Sequence, residues 1–320
     1  MYESETFMNE EHLWVEKYRP HSITDCILPS RLKKVFQSMV DTSEVQNMIL
    51  SGGPGTGKTT VARAICEDLG VNYLLINSSE DRGIEMLRTK VRNYASSMSF
   101  DGGYKIIIMD EADGITAEAQ KAFRGALEEF SSNCKFILTC NYKSKLIDAI
   151  HSRSTVIDFS LEKDERIEMA GMFFKRLQHI LTTEGITYDK KVLATVVHKF
   201  FPDYRRTINE LQRYCVDEKS LTTQSLSQMN NVKNMDDLFA ALKTKDFRSM
   251  RGWVASNIDN DPTDLFRTIF DNLSKYTKPE SVPICCLILA KYQYQSGMVA
   301  DQEINLTACL TEFLVECEFK

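Results

Sequence analysis

Long hydrophobic runs are missing from this 320-residue chain: the longest uncharged apolar stretch, Val282 to Ala290, falls far short of the roughly 20 residues that a membrane-spanning helix needs. No transmembrane segment and no membrane partner are therefore expected. The first residues, MYESETFMNEEHLW, carry acids where a secretory leader has a basic start and an apolar block, so export is not expected and the cytoplasm is the expected compartment. The 9 cysteines show no C-x-x-C spacing and no regular framework, which excludes a disulfide scaffold and predicts reduced thiols. His12, His21, His151, His179 and His198 are scattered and do not join them in zinc spacing. Excess positive charge is also lacking. A net charge of −6 argues against a surface coated for non-specific nucleic-acid binding, although Arg82 with Arg88, Lys90 and Arg92, or Lys143 with Lys145, leave room for a local basic channel.

What remains is ordinary for a folded protein: 43% hydrophobic and 26% charged residues, and length for two or three domains at roughly 100–200 residues each. From Asn47 the pattern runs strand, glycine loop, helix, with Gly70 as a helix stop. Residues 73–77, 104–111, 135–141 and 154–159 read as further strands, and the unbroken Ile run of YKIIIMDE suits a strand buried on both faces of a parallel sheet. Thr116 is placed to cap the helix TAEAQKAFRGALEEF. Alternating strands and helices predict an α/β domain over 1–159. After Phe159 the apolar spacing turns helical, with a stop at Gly185 and a new helix opened by Pro202 and Asp203, which gives a small helical domain over 160–229 ending in a polar linker, 220–231. Residues 230–320 read as wholly helical, with Cys285 and Cys286 belonging to a core, the favoured reading, or to an interface.

Between the first strand and its helix stands G-G-P-G-T-G-K-T, residues 52–59, which fits the phosphate-binding P-loop in the context that the motif needs. Gly53, Pro54, Gly55, Thr56 and Gly57 would curl backbone N–H groups around a triphosphate at a helix N-terminus. Lys58 would bridge its β- and γ-phosphates, the Thr59 hydroxyl would ligate Mg²⁺, and Thr60 would belong to the nucleotide-binding loop. Asp110, at the end of the Ile-rich strand, would hold the metal through water, and Glu111 would polarise an attacking water. ATP and Mg²⁺ are the expected cofactors, and hydrolysis the expected chemistry.

WVEKYRP (14–20), GGPGTGKTT, DEAD, the A-Q-x-A-x-R pattern at Ala119 to Arg124, CNYKSK and the SR at 152–153, in this order, resemble the AAA+ clamp loaders of the replication factor C small-subunit type. CILP, SFDG, SSNC and FPDYRRTINEL look most like the bacteriophage branch of that family. The resemblance covers the first 215 residues well and the rest by length and helical character.

It implies a AAA+ P-loop NTPase domain, a helical lid and an all-helical oligomerising collar. Val15, Glu16, Lys17 and Tyr18, with Ile27, would line an adenine pocket. Asn141 would sense the γ-phosphate or the attacking water. Arg205, with Arg206 as the fallback, would reach from the lid to the nucleotide. Arg153 would act in trans on a neighbour's ATP, although Ser154 stands where relatives usually carry cysteine. Arg82 would sense DNA and otherwise restrain Glu111, and Thr116 would contact a DNA phosphate. The implied partners are primer-template DNA held by its backbone, a sliding clamp, a small companion subunit, and copies of the chain in a pentameric loader. Another AAA+ DNA motor or helicase loader shares the same nucleotide site, and a structural subunit that binds nucleotide without hydrolysing it is the non-enzyme alternative. The last third, helical and without hairpin signals, favours a collar over a winged-helix ending.

Overall fold

The computed structural model describes residues 12–80, 83, 85, 87–97, 103–215, 219–222, 235–258 and 260–320, so Arg82, the SFDG segment and most of the expected linker lie outside the described residues. The chain forms two compact units that part at Thr223 and Gln224.

The first unit opens with a short helix, α1 (Trp14–Lys17), and α2 (Ser30–Thr42), and then alternates. Its elements are β1 (Met48–Ser51), α3 (Lys58–Asp68), β2 (Tyr73–Asn77), α4 (Arg92–Ser96), β3 (Lys105–Asp110), α5 (Ala117–Glu129), β4 (Cys134–Cys140), α6 (Asp148–His151) and β5 (Thr155–Asp158). All strand pairs are parallel and the order is β2-β3-β4-β1-β5. Ile106, Ile107, Ile108 and Met109 are fully buried, as a central parallel strand covered on both faces requires. One face packs on Phe123 and Leu127 of α5, the other on Phe36 of α2 and Ile65 of α3.

This order decides where the chemistry converges. β4 lies between β1 and β3, so the loop after β1, the acids ending β3 and the residue following β4 share the carboxyl edge of the sheet. Ligands of open parallel sheets bind at that edge.

Three longer helices follow: α7 (Lys163–Thr183), α8 (Lys190–Phe200) and α9 (Tyr204–Cys215). The expectation of helices alone needs one correction. Thr187–Tyr188 (β6) and Ser220–Leu221 (β7) form a short parallel pair, so the expected linker begins as a strand, with Leu221 buried. Gly185 has φ +68, which suits its place just beyond the end of α7.

The second unit contains α10 (Met235–Lys243), α11 (Phe247–Asn257), α12 (Pro262–Tyr276), α13 (Val282–Ser296) and α14 (Gln302–Glu316). Asp246, Asp261 and Asp301 each accept hydrogen bonds from backbone N–H groups in the first turn of α11, α12 and α14. Its core includes Trp253, Phe266, Phe313 and fully buried Cys285, with Cys286 half-buried against it. No described helix is long and apolar enough to cross a membrane.

Candidate nucleotide site

The phosphate loop owes its shape to two left-handed glycines, Gly55 with φ +68 and Gly57 with φ +90. A Cβ on Gly55 would lie 1.8 Å from the Asp203 carboxylate, so only glycine lets the loop sit against the start of α9. The Tyr204 N–H donates to the Gly55 carbonyl at 3.0 Å and fastens the two.

Lys58 Nζ donates to the carbonyls of Gly52 (2.8 Å) and Gly53 (2.7 Å) and to Asn141 Oδ1 (3.0 Å). Burial holds its pKa below the usual lysine value. Thr59 donates to Asp110 Oδ1 at 2.6 Å, and Thr139 donates to the same oxygen at 2.5 Å. The Thr139 oxygen in turn accepts the Glu111 N–H at 3.1 Å. Thr139 escaped the sequence reading; its signal was its place two residues before Asn141, on the same face of a strand that neighbours the one bearing Asp110. Glu111 itself has φ +53, a left-handed conformation uncommon for a non-glycine residue, and its side chain is exposed at the mouth of the site.

One cavity gathers these groups. Its walls include Pro54, Gly55, Thr56, Gly57, Lys58, Thr59 and Thr60 from the loop and α3, Asp110, Glu111 and Asn141 from the strand ends, Val15, Tyr18 and Ile27 from the N-terminal segment, and Arg205 from α9. Arg19, Cys26, Thr139, Cys140, Phe173, Arg176, Ile180, Tyr204 and Ile208 line it as well and were not singled out in the sequence. Burial raises the Cys26 thiol to about 12 and lifts the Tyr204 hydroxyl too, so both present neutral surfaces. Cys140 is also raised by burial.

Other expected residues stand elsewhere. Gly53 is not a wall of the cavity and instead supplies its carbonyl to Lys58. Glu16 and Lys17 also stay off the walls. Burial works to raise the Glu16 carboxyl, but Arg19, hydrogen-bonded to it, together with the charges of Arg63 and Arg205, outweighs that and leaves it lowered. Lys17 pairs with Glu184 at 2.7 Å. Thr116 uses its hydroxyl to accept the Ala119 N–H at 3.3 Å, capping α5 as expected. Arg153 lies outside the cavity lining and is held on its own chain: Nη2 and Nε meet Glu128 Oε1 at 2.5 and 2.7 Å, and Nη1 donates to the Ala149 carbonyl at 2.9 Å.

A five-stranded parallel sheet with β4 inserted beside the phosphate-loop strand, and these residues at its carboxyl edge, define a AAA-type nucleoside triphosphatase. The model of the ATPase family associated with various cellular activities (AAA) matches residues 48–162, and that of the sliding-clamp-loader large subunit AAA+ ATPase lid domain matches 164–222. The solved structure of a Thermotoga maritima RuvB mutant shares the fold, with a TM-score of 0.53 at 16% identity over 73% of this chain and 81% of that one.

Over 321 residues the chain is 35% identical to the sliding-clamp-loader large subunit of Enterobacteria phage T4, covering 98% of this chain and 99% of the relative. It is 38% identical, over the same shares, to that of Escherichia phage RB69. The replication factor C small subunit of Sulfurisphaera tokodaii is 32% identical over 96% of this chain and 97% of its own. The chain belongs to the sliding-clamp-loader large-subunit family of AAA+ ATPases. It binds nucleotide and is an ATPase subunit of the DNA-replication machinery.

Proposed function

We propose that this chain uses ATP binding and hydrolysis to open a sliding clamp and place it on primer-template DNA. The observation that carries this reading is the single cavity that unites Lys58, Thr59, Asp110, Glu111, Asn141 and Arg205 in a chain collinear with sliding-clamp-loader large subunits. Lys58 exchanges the Gly52 and Gly53 carbonyls for phosphate oxygens, which restores to the ammonium the counter-charge that burial denies it. The hard-oxygen pair of Thr59 and Asp110 suits Mg²⁺, which would neutralise phosphate charge there. Glu111 takes the proton of the attacking water, Asn141 positions that water or the γ-phosphate, and Arg205 contacts the nucleotide from the lid. Val15, Tyr18 and Ile27 enclose adenine.

Arg153 leaves Glu128 to offset charge at a neighbouring copy's site, an effect of about 10³–10⁵ in rate in well-studied cases. Three functional bodies follow from this reading, over 1–159, 160–229 and 230–320, the last serving as an oligomerising collar in a pentamer with a small companion subunit. Arg82 responds to DNA by releasing Glu111. For Thr116 we favour the first-turn N–H groups of α5 as the phosphate contact, since its hydroxyl is the cap. The site of action is the cytoplasm of a bacterial host.

Steady-state ATP hydrolysis, with companion subunit and clamp, on primed, single-stranded and blunt duplex DNA tests the proposal. Stimulation selective for primed DNA plus clamp is the expected result. Equal turnover on every DNA, or turnover coupled to strand separation, identifies a motor instead, and no turnover under any condition identifies a structural nucleotide-binding subunit.

A further inference from the structure

One wall of the cavity is the segment 12–28, and its first part is held by the lid helices. Gln212 of α9 grips the backbone at two points: its Oε1 accepts the Trp14 N–H at 2.9 Å and its Nε2 donates to the His12 carbonyl at 2.6 Å. Glu184, just after α7, accepts from Lys17 Nζ at 2.7 Å and from the Tyr18 hydroxyl at 2.5 Å. These two bonds hold the Glu184 carboxyl below its usual pKa. From Arg19 onward α3 joins in, with Arg19 donating to Thr60 at 3.1 Å and the Ile23 N–H to Asp68 at 2.8 Å, while Arg176 of the lid helix α7 donates to the Asp25 carbonyl at 2.7 Å. The segment is thus a strap, tied only to the lid up to Tyr18 among these bonds and, beyond it, to the phosphate-binding helix and once more to the lid.

Gln212 stands two helical turns after Arg205, so the face of α9 that brings Arg205 and Ile208 to the cavity also carries the grip on the strap. The strap's own secondary structure is the four-residue α1, far below the length at which a helix holds itself together in water. Without anchors, a nucleotide would have to order this wall as it bound, and that ordering subtracts from affinity.

We infer that Gln212 and Glu184 are positioning residues for the nucleotide base: they fix Val15 and Tyr18 to the lid, so the base is read by a pocket that exists only while the lid and strap are joined. The inference rests on the reading that this wall receives adenine. Among the described hydrogen bonds neither residue reaches the phosphate loop or α3, so the phosphates' share of affinity should not depend on them.

The test is equilibrium binding of ATP and of inorganic tripolyphosphate to the full chain and to Gln212→Ala, Glu184→Ala and Val15→Asp. Each alanine variant should weaken ATP about fivefold, one neutral hydrogen bond's worth or more, and leave tripolyphosphate unmoved. Glu184→Gln, which keeps an acceptor for Tyr18, should recover part of the loss, and so should Gln212→Glu, which keeps the acceptor for Trp14. Equal weakening of both ligands would mean a general loss of lid structure and overturns the inference. ATP affinity unchanged in both alanine variants while Val15→Asp weakens it overturns the inference and leaves the base site standing. ATP affinity unchanged in Val15→Asp overturns the base-site reading itself.

Discussion

At the scale of single residues, the site depends on groups whose chemistry is plain and on others whose role is only geometric. Thr139 is of the second kind. Its hydroxyl is the one link between the Asp110 carboxylate and the Glu111 backbone among the described hydrogen bonds, and Glu111 is held there with φ +53. Thr139→Val keeps the shape and removes the hydroxyl, which leaves the Glu111 N–H without its acceptor at a cost of about 1–3 kcal/mol. Glu111 is then free to leave its left-handed conformation, so turnover should fall about tenfold while ATP affinity moves by less than about threefold. Single-turnover hydrolysis beside equilibrium ATP binding measures both; unchanged hydrolysis would show that Glu111 needs no such tether. Glu111→Gln is the companion variant, expected to bind ATP and not turn it over.

At the scale of elements, the glycine loop and α9 are one construction. The start of α9 approaches Gly55 so closely that a methyl group there would overlap the Asp203 carboxylate, and φ is +68 as well. Gly55→Ala should therefore strain the junction by about 1–3 kcal/mol and weaken ATP roughly tenfold or more, read by ATP titration. Much at this scale was legible in advance. The Ile run of β3 announced a doubly covered strand, the P-loop marked the turn after β1, and Thr116 announced the start of α5. Other parts were not legible because their cause is distant in sequence. Trp14 meets Gln212 across 198 residues, and no local pattern encodes that. β6 and β7 are two-residue strands that each exist only because the other is there, so Ser220–Leu221 read as polar linker. The P-loop and the paired acids were readable from short motifs and Asn141 only through the family resemblance, whereas Phe173, Ile180 and Ile208 looked like any helical core residues until the fold turned them toward the cavity.

At the scale of the whole molecule, the thiols and the trans role proposed for Arg153 make the clearest claims. Cys286 is half-buried and the other cysteines are buried, and burial raises Cys26, Cys66, Cys134 and Cys215 to about 12. A thiol raised on folding stabilises the fold fully below its unfolded pKa, about 8.5, and that contribution is lost as pH climbs from there toward the folded value. Stability should therefore decline between about pH 8.5 and 12 from this source. Iodoacetamide at neutral pH should label Cys286 first and the rest only as urea unfolds the chain; mass spectrometry of the labelled peptides decides it.

The role proposed for Arg153 concerns more than one copy. The Arg153 guanidinium is bound on its own chain by Glu128 and Ala149 and stands outside its own nucleotide cavity, so it takes no part in its own site. If a neighbour receives it, the two halves of a working site lie on different copies: Lys58 on one and Arg153 on the next. Lys58→Ala chains and Arg153→Ala chains should then each assemble into complexes with little turnover on primed DNA with clamp. A mixture of the two should regain a measurable fraction, because a Lys58→Ala chain still supplies Arg153 to the intact loop of an Arg153→Ala neighbour. If Arg153 served only its own chain, no arrangement of the mixture would unite both groups, and turnover would stay at the sum of the separate variants. Hydrolysis measured across mixing ratios separates the cases by shape, since complementation peaks at intermediate ratios and a cis role gives a straight line.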